Sequence, residues 1–126
     1  MASLSNPALQ IDLLTGTSNA NVTATVRVTL DQLDTFLLSG GLTLQLSSKL
    51  VGDDSGLTGA DDDLFFFPSQ NITNTGIYTF QSTVSLGTLD EDNGGDEVFA
   101  NFNLKSLNNI FPLNTSVNSP NIEGSF

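Results

Sequence analysis

The stretch Val22-Thr23-Ala24-Thr25-Val26-Arg27-Val28-Thr29-Leu30 alternates without a break, apolar at each even position and polar at each odd one. A helix with a buried face needs apolar residues three and four apart, whereas a strand needs them two apart. The segment is also rich in Val and Thr, whose branched side chains suit a pleated surface. It predicts a strand with Val22, Ala24, Val26, Val28 and Leu30 turned inward and the odd positions turned to solvent.

The same period recurs on both sides of this segment. Leu42, Leu44 and Leu46 alternate with Thr43, Gln45 and Ser47. Tyr78, Phe80, Val84 and Leu86 alternate with polar residues, and Val98, Ala100, Phe102 and Leu104 alternate with Phe99, Asn101 and Asn103. In the last of these the alternation puts Phe99 on the outer face. Residues 9–14 read as a first strand. Residues 64–67 read as a short edge strand stopped by Pro68. Residues 117–126 offer a last strand, weakened by Pro120 and Gly124. Residues 31–38 read as a helical turn ended by Gly40-Gly41.

Seven short strands separated by turn signals predict an all-β fold, a seven-stranded immunoglobulin-like or C2-like β-sandwich. A small barrel is the alternative. Phe65, Phe67, Phe80 and Phe102 are the expected core aromatics. At 126 residues the chain is expected to be a single domain, with a core over 8–105 and an extended segment over 106–126.

Composition narrows the chemistry. The chain has no Cys and no His, which removes disulfides, thiol nucleophiles and the commonest general base. Its net charge of −11 argues against nucleic acid and bare anionic membranes as partners. The opening residues, MASLSNPALQ, lack the basic and apolar regions of a signal peptide. No apolar run approaches the length of a membrane span. An extracellular or assembly-associated location is expected over a cytoplasmic one.

The charge is unevenly spread. Asp53, Asp54, Asp61, Asp62 and Asp63 form one run, and Asp90, Glu91, Asp92, Asp96 and Glu97 a second. The only cationic residues are Arg27, Lys49 and Lys105, none of them within either run. Clustered carboxylates without counter-charge suit a hard cation, Ca²⁺ first. Asp90-x-Asp92-x-x-x-Asp96 spaces carboxylates along an irregular loop, and Gly94-Gly95 permits the backbone to fold around an ion. The candidate ligands are Asp53, Asp54, Asp61, Asp62, Asp63, Asp90, Asp92, Asp96 and Glu97. No EF-hand is present. The bland alternative is that both runs are solvated turns, since Asp, Asn and Gly favour turns for local reasons.

Connections in a sandwich tend to alternate between its two ends. The two acidic loops are therefore expected to share one end, beside Gly16-Thr17-Ser18-Asn19, provided two strands separate Asp63 from Asp90.

Residues 46–105 resemble small, acidic, uncharacterised β-sandwich proteins of cyanobacterial type. The likeness rests on Gly52-Asp53-Asp54, Asp61-Asp62-Asp63-Leu64-Phe65, Gly76-Ile77-Tyr78-Thr79-Phe80, Leu89-Asp90-Glu91-Asp92 and Asp96-Glu97-Val98. The two acidic loops also look like the paired aspartate loops of C2 domains. The second loop is shorter than that pattern, and basic membrane-facing residues are absent. The resemblance implies cation binding by loops rather than lipid binding.

These readings converge on a non-enzymatic, calcium-binding structural or interaction module. Such a module would serve as a subunit of a larger assembly or as a surface protein. The alternative is a C2-like domain that reaches membranes or partners through bound calcium. A carbohydrate-active enzyme using paired carboxylates ranks third, because the chain has no Trp and one Tyr to form a sugar platform. Self-association through the termini or edge strands is expected from the Phe65-Phe66-Phe67 run and the weakly charged segment 117–126.

Overall fold

In a computed structural model of the chain, residues 2–52, 62–86, 96–107 and 112–124 are described, with Asp62, Asp96, Glu123 and Gly124 placed by their backbone alone. Among the described residues, the fold is an all-β sandwich of two antiparallel sheets, with a short helix between the second and third strands.

The first sheet has three strands, β1 (Ser3–Leu13), β2 (Asn19–Thr29) and β6 (Gly76–Ser85), in the order β1-β2-β6. The alternating segment forms β2 at its centre. Val22, Ala24, Val26 and Val28 are fully buried and Leu30 is half-buried beyond the strand end; of the odd positions, Arg27 and Thr29 are exposed whereas Thr23 and Thr25, in the central strand, are half-buried. Each fully buried aliphatic side chain contributes about 1.5–3 kcal/mol relative to exposure.

The second sheet is built on β3 (Leu44–Gly52) and β7 (Asp96–Ser106). β4 (Asp62–Phe66) and β5 (Gln70–Ile72) lie on one side of this pair, and β8 (Asn114–Asn118) and β9 (Ile122–Gly124) on the other. The nine described strands exceed the expected seven for a physical reason: β4 and β5 both run antiparallel along β3 and occupy one strand position, broken at Pro68. β8 and β9 share one position along β7, broken at Pro120. Proline cannot donate to a ladder, so it interrupts an edge without displacing it. The ladder is bridged at both breaks. Phe67 N–H donates to the Ser48 carbonyl at 3.0 Å. At the other break, Ser119 N–H donates to the Ala100 carbonyl and Ala100 N–H to Ser119 Oγ, both at 2.8 Å.

The segment 106–126, expected to be extended, therefore contributes β8 and β9 to the sheet. Strand structure at the other end of the chain begins at Ser3, earlier than the expected core boundary.

Between β2 and β3 the expected helical turn is a helix, α1 (Gln32–Ser39). Asp31 caps it: Asp34 N–H donates to Asp31 Oδ1 at 2.9 Å, and Asp31 N–H to Asp34 Oδ2 at 3.0 Å. This reciprocal capping box fixes the first turn, with Asp in place of the usual Glu. Gly40 closes the helix, and Gly41 turns the chain at φ 107°.

The core between the sheets holds Leu44, Leu46 and Leu50 of β3 and Val98, Ala100, Phe102 and Leu104 of β7, opposite the inner face of β2. The four expected aromatics form a chain of ring contacts. Phe65 meets Phe67 edge-on at 5.1 Å, Phe67 meets Phe80 at 5.8 Å, and Phe80 meets Phe102 at 6.3 Å. Phe66 is the odd member of its run and stays 65% exposed.

Phe99 departs from the expectation. It is buried although alternation turns it outward. Its cross-strand partner is Val51, also buried, beside a register shift of β3 against β4 between Leu50 and Val51. Two apolar residues directly opposite one another shelter each other on the outer face.

Candidate metal centre at one end of the sandwich

Strand ends decide where the acidic runs go. β3 ends at Gly52, which lies opposite Asp62 of β4 on one side and Val98 of β7 on the other. The first run thus leaves the second sheet and returns to it at a single end. The second run arrives there too, at Asp96 and Glu97, one strand across. It departs from β6, whose last residue, Ser85, lies opposite Asn19 at the start of β2. Leu86 N–H donates to the Ser18 carbonyl at 2.8 Å, which ties that departure point to the β1–β2 turn. In the first sheet the second run thus departs beside the β1–β2 turn, and in the second sheet it arrives beside both ends of the first run. Three strands, not two, separate Asp63 from Asp90. Because β4 and β5 make one traverse, the alternation of ends survives.

The candidate ligands divide into three groups. Asp53, Asp54, Asp61, Asp90 and Asp92 lie outside the described residues. Asp62 and Asp96 are placed by backbone, opposite Gly52 and Gly124 respectively. Asp63 and Glu97 are described in full. Asp63 is exposed and forms an ion pair with Lys49, Nζ to Oδ1 at 3.0 Å. Glu97 is half-buried, and its Oε2 accepts from Asn121 Nδ2 at 3.2 Å. Among the described residues, no three carboxylates gather into a cluster able to hold a metal ion.

Two participants at this end escaped the sequence reading. Lys49 stands outside both runs in sequence, yet the β3–β4 pairing brings it to Asp63. The alternation of β3 was the available signal, since inward Leu46 and Leu50 leave Lys49 outward. Glu123 was hidden in a segment weakened by Pro120 and Gly124. β9 places it directly opposite Glu97.

A second polar feature lies on the outer face of the same sheet. Asn101 Nδ2 donates to Asn118 Oδ1 at 2.7 Å, and Asn103 Nδ2 to Asn114 Oδ1 at 2.7 Å and Ser116 Oγ at 2.9 Å. These amides bridge β7 and β8 and satisfy one another. Their evident role is to hold the broken edge strand in register.

Among the described residues, no helix is long and apolar enough to cross a membrane. No protein-family model matches the chain, and no curated protein is significantly similar to it.

Proposed function

We propose that this chain is a non-catalytic, calcium-binding β-sandwich module that acts as a structural or interaction unit, with the cation held by the loops at one end. The observation that supports this reading is that the end of β3 and the starts of β4 and β7, where both acidic runs attach to the second sheet, lie side by side in register. Two acidic runs attached to one end of a sheet repel each other. A divalent ion with oxygen ligands converts that repulsion into a bond between segments distant in sequence. Asp90, Asp92 and Asp96 supply the alternate carboxylates, and the 53–63 run supplies the rest. Asp63 is shared with Lys49 and is the least committed ligand. With no His or Cys in the sequence, the commonest proton-transfer and nucleophilic machinery is missing.

The test is calorimetric titration with calcium, paired with thermal melting and a magnesium control. A ligand that binds only the folded state at a hundredfold excess over its Kd stabilises by about 2.7 kcal/mol, roughly 10 °C in a domain of this size. Asp92→Asn should reduce that shift while leaving the melting temperature of the calcium-free protein within a few degrees. Absence of both heat and melting shift at millimolar calcium would overturn the reading.

A further inference from the structure

The strands at the sheet margins differ in one respect. β1 carries Pro7, a register shift between Ser5 and Ala8, and Asn6 at φ 51°. β4 is five residues long, is shifted against β3 and ends before Pro68. β5, β8 and β9 are three, five and three residues long. These are the devices by which proteins blunt sheet edges: shortness, bulges and proline. β6 has none of them. It runs for ten residues in unbroken register with β2, contains neither proline nor charge, and has no described strand on its other side.

The hydrogen bonding shows which groups that edge presents. Leu86 N–H bonds the Ser18 carbonyl, on the β2 side. The Thr79 carbonyl accepts from Gln70 Nε2 at 2.9 Å, on the opposite side. Since successive residues of a strand direct their backbone groups to alternate sides, Ile77, Thr79, Gln81 and Thr83 present N–H and C=O to the open edge. Their side chains are all exposed, Ile77 at 69%.

We infer that this edge pairs antiparallel with β6 of a second copy, about a two-fold axis at Gln81. Gln81 then faces Gln81 of the partner copy, and Thr79 faces Thr83, as hydrogen-bonded pairs. Charge selects both the occupant and the direction. The chain carries −11, yet β6 is neutral, so self-pairing opposes no charges along the joint. The acidic end lies beyond Ser85. Antiparallel pairing places the two acidic ends at opposite extremes of a ten-residue strand, about 30 Å apart and several Debye lengths at physiological salt. Parallel pairing would set them side by side. Gln70 holds one carbonyl of the edge in the single chain and must swing away, or share it, when the partner strand arrives.

This inference rests on reading the chain as a subunit of an assembly, but not on calcium. The experiment uses the full chain, with light scattering from micromolar to millimolar concentration, with calcium and with chelator. A dimer is expected in both conditions. Gln81→Lys and Gln81→Glu should each be monomeric, with unchanged circular dichroism because the side chain is exposed. Their equimolar mixture should dimerise again. Gln81→Cys, in a chain without other cysteine, should crosslink on oxidation, because facing Cα atoms of such a pair lie ~5.5 Å apart. A strict monomer at every concentration would overturn the inference. So would a dimer indifferent to Gln81→Lys, or an uncrosslinked Gln81→Cys dimer. A null calcium titration with the dimer intact would instead remove the calcium reading and leave this one standing.

Discussion

Single residues carry distinct energies in this fold. Phe102 is fully buried at the inner end of the aromatic chain, and truncation there leaves a cavity that β-sheet neighbours cannot close. Phe102→Ala is expected to cost about 3–5 kcal/mol, read as a lowered denaturant midpoint with an unchanged slope. Ser48 is the opposite case. It occupies an inward position between Leu46 and Leu50, is almost fully buried, and its hydroxyl has no hydrogen-bond partner among the described residues. A buried hydroxyl without a partner is a net cost. Ser48→Ala should therefore leave stability unchanged or raise it by up to about 1 kcal/mol, measured by the same denaturation. At this scale the sequence was informative where alternation held, as for Val22 to Val28. It misled at Phe99, because period alone does not reveal an apolar partner across the strand.

At the scale of elements, local chemistry explains most boundaries. The helix between β2 and β3 begins where Asp31 and Asp34 exchange hydrogen bonds with each other's backbone. Asp31→Ala removes one of them and should destabilise the protein by about 0.5–2 kcal/mol, whereas Asp31→Asn should cost less, as thermal melting would show. In the sequence Pro68 signals the stop of an edge strand and Pro120 the weakening of a last one, and each marks a real interruption. What the sequence could not express is that a broken strand still fills its place in a sheet, as Ser119 does by bonding Ala100 through both backbone and side chain. That is why segment 106–126 read as a tail. For the same reason Glu123 went unnoticed, since its relevance depends on lying opposite Glu97, a residue distant in the chain.

For the whole molecule, the sandwich class followed from summed alternation, while the placement of the loop ends required the topology. The shared end of the acidic runs was expected on a strand count that proved to be three rather than two. Two of the three are collinear along β3 and make one traverse, so the alternation behind that expectation is kept. Asp53, Asp54, Asp61, Asp90 and Asp92 lie outside the described residues, so their part in the proposed site is a matter for titration. If the acidic end is a cost in the absence of metal, neutralising part of it should help. Glu97→Gln is expected to raise the melting temperature in chelator by a few degrees at low salt, and by less as salt screens the remaining charges. A loss of stability in chelator would show that the Asn121 hydrogen bond outweighs the repulsion.

The strand order also governs how the chain can acquire its structure. β2 pairs with β6 and β3 with β7, so each sheet is completed only by a strand that comes after part of the other. Neither sheet can close early in synthesis. Until Ser106 has left the ribosome, the inward faces of β2 and β3 have no finished core to enter. Pairings this distant make folding slow, on the order of milliseconds to seconds for β-sandwiches. The growing chain therefore spends its most vulnerable interval with apolar strands uncovered, an interval in which a net charge of −11 opposes association between copies.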